Sequence, residues 1–178
     1  MTVNTKTKRM DLAFASLLSD DDEAALTALT RIEQEADAKA IRPLLDALMR
    51  AKEGRVKQRI TGLLDQVKAP GAADELFRAL EDESLAPVRK TVLGVFWNAG
   101  IDVRDHLDRF VTIALEGDAQ ESFECLTVIE NQEIWPEHAA RLALGRVRNA
   151  MTAENDPYKA SILNDLTIVL EGRLGVNE

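Results

Sequence analysis

The feature that most narrows the fold is a helical apolar stripe that returns every 32–34 residues. Over 24–36 the stripe is Ala25, Leu29, Ile32 and Ala36; over 56–67 it is Val56, Ile60, Leu63, Leu64 and Val67; over 88–99 it is Val88, Val92, Val95, Phe96 and Ala99. Each keeps the i, i+3/i+4, i+7 spacing that gathers side chains on one face of a helix. A shift of 32 carries the second stripe onto the third, and a further 33 carries Val92, Leu93, Val95 and Phe96 onto Cys125, Leu126, Val128 and Ile129. The intervening helices repeat too: AIRPLLDAL (40–48) falls on AADELFRAL (72–80) at a shift of 32, and HLDRFVTIAL (106–115) follows about 34 later. A two-helix unit of this size cannot bury its apolar face alone, whereas stacked copies can.

The pattern predicts an all-α chain, an α-solenoid of stacked antiparallel helical hairpins, over a single domain at 10–172. Its parts are a cap helix at 11–18, hairpins at 22–51, 54–82, 86–116 and 119–150, and a closing helix at 157–172; flexible ends are expected at 1–9 and 173–178. The punctuation agrees. KAPG (68–71), DES (82–84), NAG (98–100) and EGD (116–118) interrupt the stripes. Gly100 and Gly117 fall where helices end, Asp118 stands where the next helix needs an N-cap, and Pro43 and Pro87 fall in first turns.

Composition limits the function classes. Aromatics are 4% of the 178 residues while Ala and Leu abound, a bias that favours helix over sheet. A net charge of −9 argues against general affinity for nucleic acid, whose phosphates require Lys and Arg. One cysteine cannot form an internal disulfide, and no apolar run approaches the roughly 20 residues of a membrane span. The N-terminal MTVNTKTKRM is basic but lacks the apolar stretch and cleavage site of a signal peptide. A cytoplasmic protein with no membrane or nucleic-acid partner is the expectation.

Two segments, VRKTVLGVFWNAGIDVRDHLDRFVTIALEGD (88–118) and SFECLTVIENQ (122–132), resemble small HEAT-repeat (armadillo-like) proteins of the Bacteroidetes type. The remainder matches the generic repeat. The resemblance implies an α-solenoid and a surface that binds other proteins, and it carries over no catalytic residue or cofactor. HEAT-like folds also include bilin lyases, iron hydroxylases and DNA glycosylases. A glycosylase would need a basic groove. A hydroxylase would need repeated His-Glu pairs, and Glu137–His138 occurs once, in reverse order. A lyase-type enzyme, or an accessory protein for a cofactor, is the alternative that remains.

Among residues able to carry chemistry, Cys125 falls in register with Ile60 and Val92 on an apolar stripe. Its sequence neighbours Glu121, Glu124 and Glu130 would raise a thiol pKa rather than lower it, so it reads as a small hydrophobe. At about 100° per residue, Phe123, Cys125, Leu126, Val128 and Ile129 cover an apolar arc of about 220°, with Glu124, Thr127 and Asn131 opposite. Glu130 lies at the edge of that arc, either to meet an Arg or a backbone N–H of the next hairpin or to be kept for a ligand. His106 and His138 each open the second helix of a hairpin; Asp102, Asp105 and Asp108 lie near the first, without a metal-binding spacing. Trp97 sits at the border of a stripe, and Trp135 precedes Pro136, where it either staples a loop or anchors a partner.

Charge is the broader signal. Residues 101–135 hold nine acids and two bases, a net −7 of the chain's −9, and Arg141, Arg146 and Arg148 make the next helix basic. The expected function is therefore a non-enzymatic scaffold or adaptor that docks a basic protein on an acidic face. Its candidate contact residues are Trp97, Asp105, His106, Asp108, Glu121, Glu124, Glu130 and Trp135, with no catalytic, cofactor or metal residues. The spacing leaves the oligomeric state open.

Overall fold

Aspartates set three of the α-helix starts among the described residues. Asp21 accepts hydrogen bonds from the N–H groups of Glu23 (3.0 Å) and Ala24 (3.2 Å), opening Asp22–Glu35. Asp156 accepts from Tyr158 N–H (2.8 Å) and Lys159 N–H (3.3 Å) ahead of Pro157, whose fixed φ suits the first helical position. Asp118 and Glu121 form a reciprocal capping box: Glu121 N–H donates to Asp118 (2.8 Å) and Asp118 N–H to Glu121 (3.2 Å).

The computed structural model describes residues 2–52 and 54–175, with side chains from Thr7 onward. Its order is α1 (Thr2–Leu17), α2 (Asp22–Glu35), α3 (Ile41–Arg50), α4 (Arg55–Leu64), α5 (Ala72–Glu81), α6 (Arg89–Asn98), α7 (Leu107–Glu116), α8 (Ala119–Asn131), α9 (Glu137–Met151) and α10 (Pro157–Leu174). Short 3-10 turns at Ala38–Ala40 and Glu83–Val88 lead into α3 and α6, the second containing Pro87. No strand occurs among the described residues, so the chain is all-α. It forms two compact units, Met1–Ala99 and Gly100–Glu178.

In the first unit α1 packs on α2, α2 on α4, α3 on α4 and α5, and α5 on α6. Leu29, Ile41, Leu45, Ile60, Leu64, Leu76, Leu93 and Phe96 are fully buried, drawn from α2 through α6 at the stripe positions. The rings of Phe77 and Phe96 lie 4.8 Å apart, within the range of favourable tilted aromatic pairs. Arg42 on α3 bonds Asp46 (3.1 Å), Asp82 and Ser84 (3.2 Å), tying α3 to the turn before α6. The Ser84 and Arg42 hydrogen bonds and the Ser84 N–H hold the Asp82 carboxyl down at about 2.

The terminal helices extend into both ends expected to be flexible. Residues from Thr2 to Arg9 form the first turns of α1. Arg9 reaches Glu35 on α2 at 2.7 Å and Met10 is buried, so this end is tethered on two sides. At the other end α10 continues through Arg173 and Leu174 to Gly175, whose φ of 66° suits a glycine C-cap. Residues 176–178 of the expected C-terminal tail lie outside the described residues.

In the second unit α7 packs on α8 and α9, and α10 on α8 and α9. Leu107, Phe110, Val111, Ala114, Cys125, Ile129, Leu163, Leu166 and Leu170 fill its interior. Cys125 is fully buried, as its register predicts. Phe123 is not: it is 50% exposed, and Ser122 takes the buried place beside Cys125. The reason is local. The Ser122 hydroxyl lies 2.7 Å from Ala114 O and 2.9 Å from Asp118 O, so it takes up backbone carbonyls at the end of α7 and the start of α8. That rotates the buried face of α8 away from Phe123.

Candidate functional site, an acidic surface on the second unit

The surface is framed by the α7–α8 junction, where three of the last carbonyls of α7 have partners. Of α7's last carbonyls, Ile113 O accepts Gly117 N–H (2.8 Å), Ala114 O meets Ser122, and Leu115 O accepts from Lys159 Nζ (2.8 Å). Lys159 Nζ also donates to Gly117 O (2.7 Å) and lies 3.6 Å from Glu154 Oε2, so its three donors each face an oxygen. It is 8% exposed, a lysine on the buried stripe of α10 placed against the negative end of α7. Gly117 is extended (φ −77°), not left-handed, and its role is spatial. A Cβ there would stand 2.8 Å from Ile113 O and 2.9 Å from Glu121 Cβ, inside the capping box.

Several acids of the 101–135 cluster are structurally engaged. Asp102 forms two contacts with Arg104, at 3.0 and 2.6 Å, which lower its carboxyl and raise the guanidinium. Asp108 pairs with Arg146, whose other nitrogen reaches Thr112 at 2.9 Å, joining α7 to α9. Asp118 and Glu121 serve the capping box. Asp105, Glu116, Glu130 and Glu133 lie exposed and Glu124 half-buried on the same unit. The basic helix that follows does not offset them. Arg141 pairs with Glu137 (2.7 Å), Arg146 with Asp108, and Arg148 with Glu171 on α10. Across 100–178 fifteen acids face seven bases, a net −8, whereas 1–99 carries −1.

The eight candidate contact residues divide between the two units and between buried and exposed positions. Asp105, Asp108, Glu121, Glu124 and Glu130 belong to this unit and reach its surface to differing degrees. His106 is half-buried at the start of α7 and makes no side-chain cap, while His138 is exposed in the first turn of α9. Trp97 is half-buried on α6, in the other unit. Trp135 must be corrected as a partner anchor: it is 7% exposed and its Nε1 donates to Ile129 O at 3.1 Å, so it fastens the α8–α9 loop to α8. An arginine does reach residue 130, but through the backbone: Arg173 Nη2 donates to Glu130 O (2.9 Å), which leaves the carboxylate uncommitted to that contact. No group of three His, Cys, Asp or Glu side chains is placed to hold a metal among the described residues.

Spacing alone missed a shallow groove of about 340 Å³ between α8 and α10, lined by Glu130, Ile168, Val169, Gly172 and Arg173. Ile168 is 58% exposed, and the apolar side chains on that flank of α10 were its only sequence signal. A cleft of about 320 Å³ in the first unit is lined by Ile32, Ile41, Leu44, Leu63, Leu64 and Val67, among others. The acids at its edge are engaged, Glu33 with Arg59 and Asp37 with Lys39 N–H. It therefore carries no matching charge signal. No helix among the described residues is long and apolar enough to cross a membrane. No protein-family model, no curated protein and no solved structure matches the chain.

Proposed function

We propose that this chain is a HEAT-like helical scaffold that acts by binding, and that residues 100–178 dock a basic protein partner. The observation that carries the reading is the charge of that unit, −8 against −1 for the rest, with the arginines of α9 held in internal ion pairs. A surface of one sign steers and orients an oppositely charged partner, and the field weakens over roughly 8 Å at physiological salt. Packing of α7 on α9 and α8 on α10, beside α7 on α8 and α9 on α10, supports stacked hairpins within the unit. A packed helical base of this kind holds surface carboxylates in a fixed arrangement.

The test is affinity capture from the native host extract followed by identification of bound proteins. Glu124→Lys, Glu130→Lys and Glu133→Lys together should reduce recovery of a specific basic partner by about tenfold or more, and salt should reduce it for the wild type. Glu121 stays unchanged because it caps α8. The same number of reversals at Asp11, Asp20 and Glu83, in the first unit, should leave recovery intact. Equal loss from both sets would remove the second unit's surface as the docking site.

A further inference from the structure

The groove between α8 and α10 brings two features together. The first is exposed apolar area, on the α10 wall and farther along the α8 flank that carries Glu130. Phe123 is 50% exposed and lies seven residues, two helical turns, before Glu130, so the two share one flank of α8. On the facing wall stand Ile168 and Val169, outside the stripe of Ile162, Leu163, Leu166 and Leu170 that α10 buries. A helix that has already buried one apolar stripe gains nothing in water from a second. The second feature is a pair of carboxylates near those apolar side chains, beside one guanidinium. Glu130 lines the groove, and Asp165, three and four residues before Ile168 and Val169, shares their side of α10. The lining base, Arg173, has its guanidinium on the Glu130 carbonyl.

We infer that the α8–α10 groove receives an amphipathic basic segment of the partner, its apolar side chains against Phe123 and Ile168 and its Lys or Arg against Glu130 and Asp165. This rests on the docking function proposed above and specifies its site. Charge selects the occupant. A second copy of this chain would bring the same −8 unit, and like charges at close range oppose association. A basic helix of two to three turns meets both features, placing apolar anchors at i, i+3/i+4 and i+7 into the groove. From Asp165 to Arg173 the wall runs about 12 Å at 1.5 Å per residue, the length of such a segment.

The probe is a fluorescein-labelled 14-residue peptide of Leu and Lys with leucines at i, i+3, i+4 and i+7, titrated with the full chain by fluorescence anisotropy. A second peptide carries Glu in place of Lys. The wild type should bind the Lys peptide and not the Glu peptide. Phe123→Ala with Ile168→Ala should weaken binding by about tenfold, as loss of interface anchors does. Glu130→Gln with Asp165→Asn should weaken it about threefold and flatten its salt dependence, as loss of exposed charge pairs does. Glu83→Gln, exposed in the first unit, should change nothing. All these side chains reach solvent, and thermal melts of each variant establish that the fold is retained.

Absence of wild-type binding, equal binding of both peptides, or unchanged binding by the Phe123 and Ile168 variant overturns the inference. A wild-type dimer by light scattering that this variant converts to monomer also overturns it, because a second copy is then the occupant. If the triple charge reversal abolishes partner capture while the groove variants leave capture and peptide binding untouched, the groove falls and the docking function stands. If neither set affects capture, both fall.

Discussion

Lys159, Ser122 and Gly117 explain more of the second unit than any residue chosen for chemistry. Each takes up or makes room for a backbone group at the end of α7, where a helix leaves carbonyls without partners. Lys159→Met keeps the length of the side chain but strands Leu115 O and Gly117 O in a half-buried setting, and should cost about 1–3 kcal/mol. Gly117→Ala should cost a similar ~1–3 kcal/mol, because the new methyl meets backbone and a capping carboxylate rather than a flexible tip. Urea denaturation of each variant checks both; a loss below experimental error in either would show that the junction is not held as described. Asp82 gives a pH signature. Its folded value of about 2 lies below the ordinary 3.8, so its contribution is complete above 3.8 and disappears as pH falls toward 2. The stability gap between wild type and Asp82→Asn should therefore be constant from neutral pH down to about 4 and close between there and 2. A gap that keeps its neutral-pH size at pH 2 would refute the assignment. Asp65 acts in the opposite sense: burial raises its carboxyl, so protonation favours the folded state.

At the scale of elements, apolar periodicity was a good guide wherever one stripe faced one core. The stripes over 56–67 and 88–99 correspond to α4 and α6, and those of 40–48, 72–80 and 106–115 to α3, α5 and α7. It failed where a polar side chain replaced an apolar one on the buried face. Counting only hydrophobes on α8 draws in Phe123 and excludes Ser122, although Ser122 lies three and four residues before Cys125 and Leu126. A serine can be buried there because two carbonyls lie within reach, a partner set that appears only once α7 and α8 are packed. Lys159 posed the same problem, in phase with Ile162, Leu163 and Leu166 yet charged. Trp135 shows the converse. Its position beside Pro136 admitted both staple and anchor, and the bond to Ile129 O identifies the staple. Arg173 was legible as a base near the chain end, but not its bond to the carbonyl of Glu130, 43 residues earlier.

For the whole molecule, the telling quantity is how unevenly charge is divided. Sequence showed nine acids crowded into 101–135, and the structure separates those that build the unit from those that face outward. Asp102, Asp108, Asp118 and Glu121 hold local geometry, while Glu130 stands beside exposed apolar side chains on α8 and α10. A docking surface for a basic protein, confined to one of two compact units, is the central claim. Hydrogen–deuterium exchange of the full chain, free and bound to its captured partner, tests it most directly. The account predicts that binding slows exchange across α8 and α10, with the helices of residues 2–98 unchanged. Slowing confined to those earlier helices, with α8 and α10 exchanging as in the free chain, would contradict it.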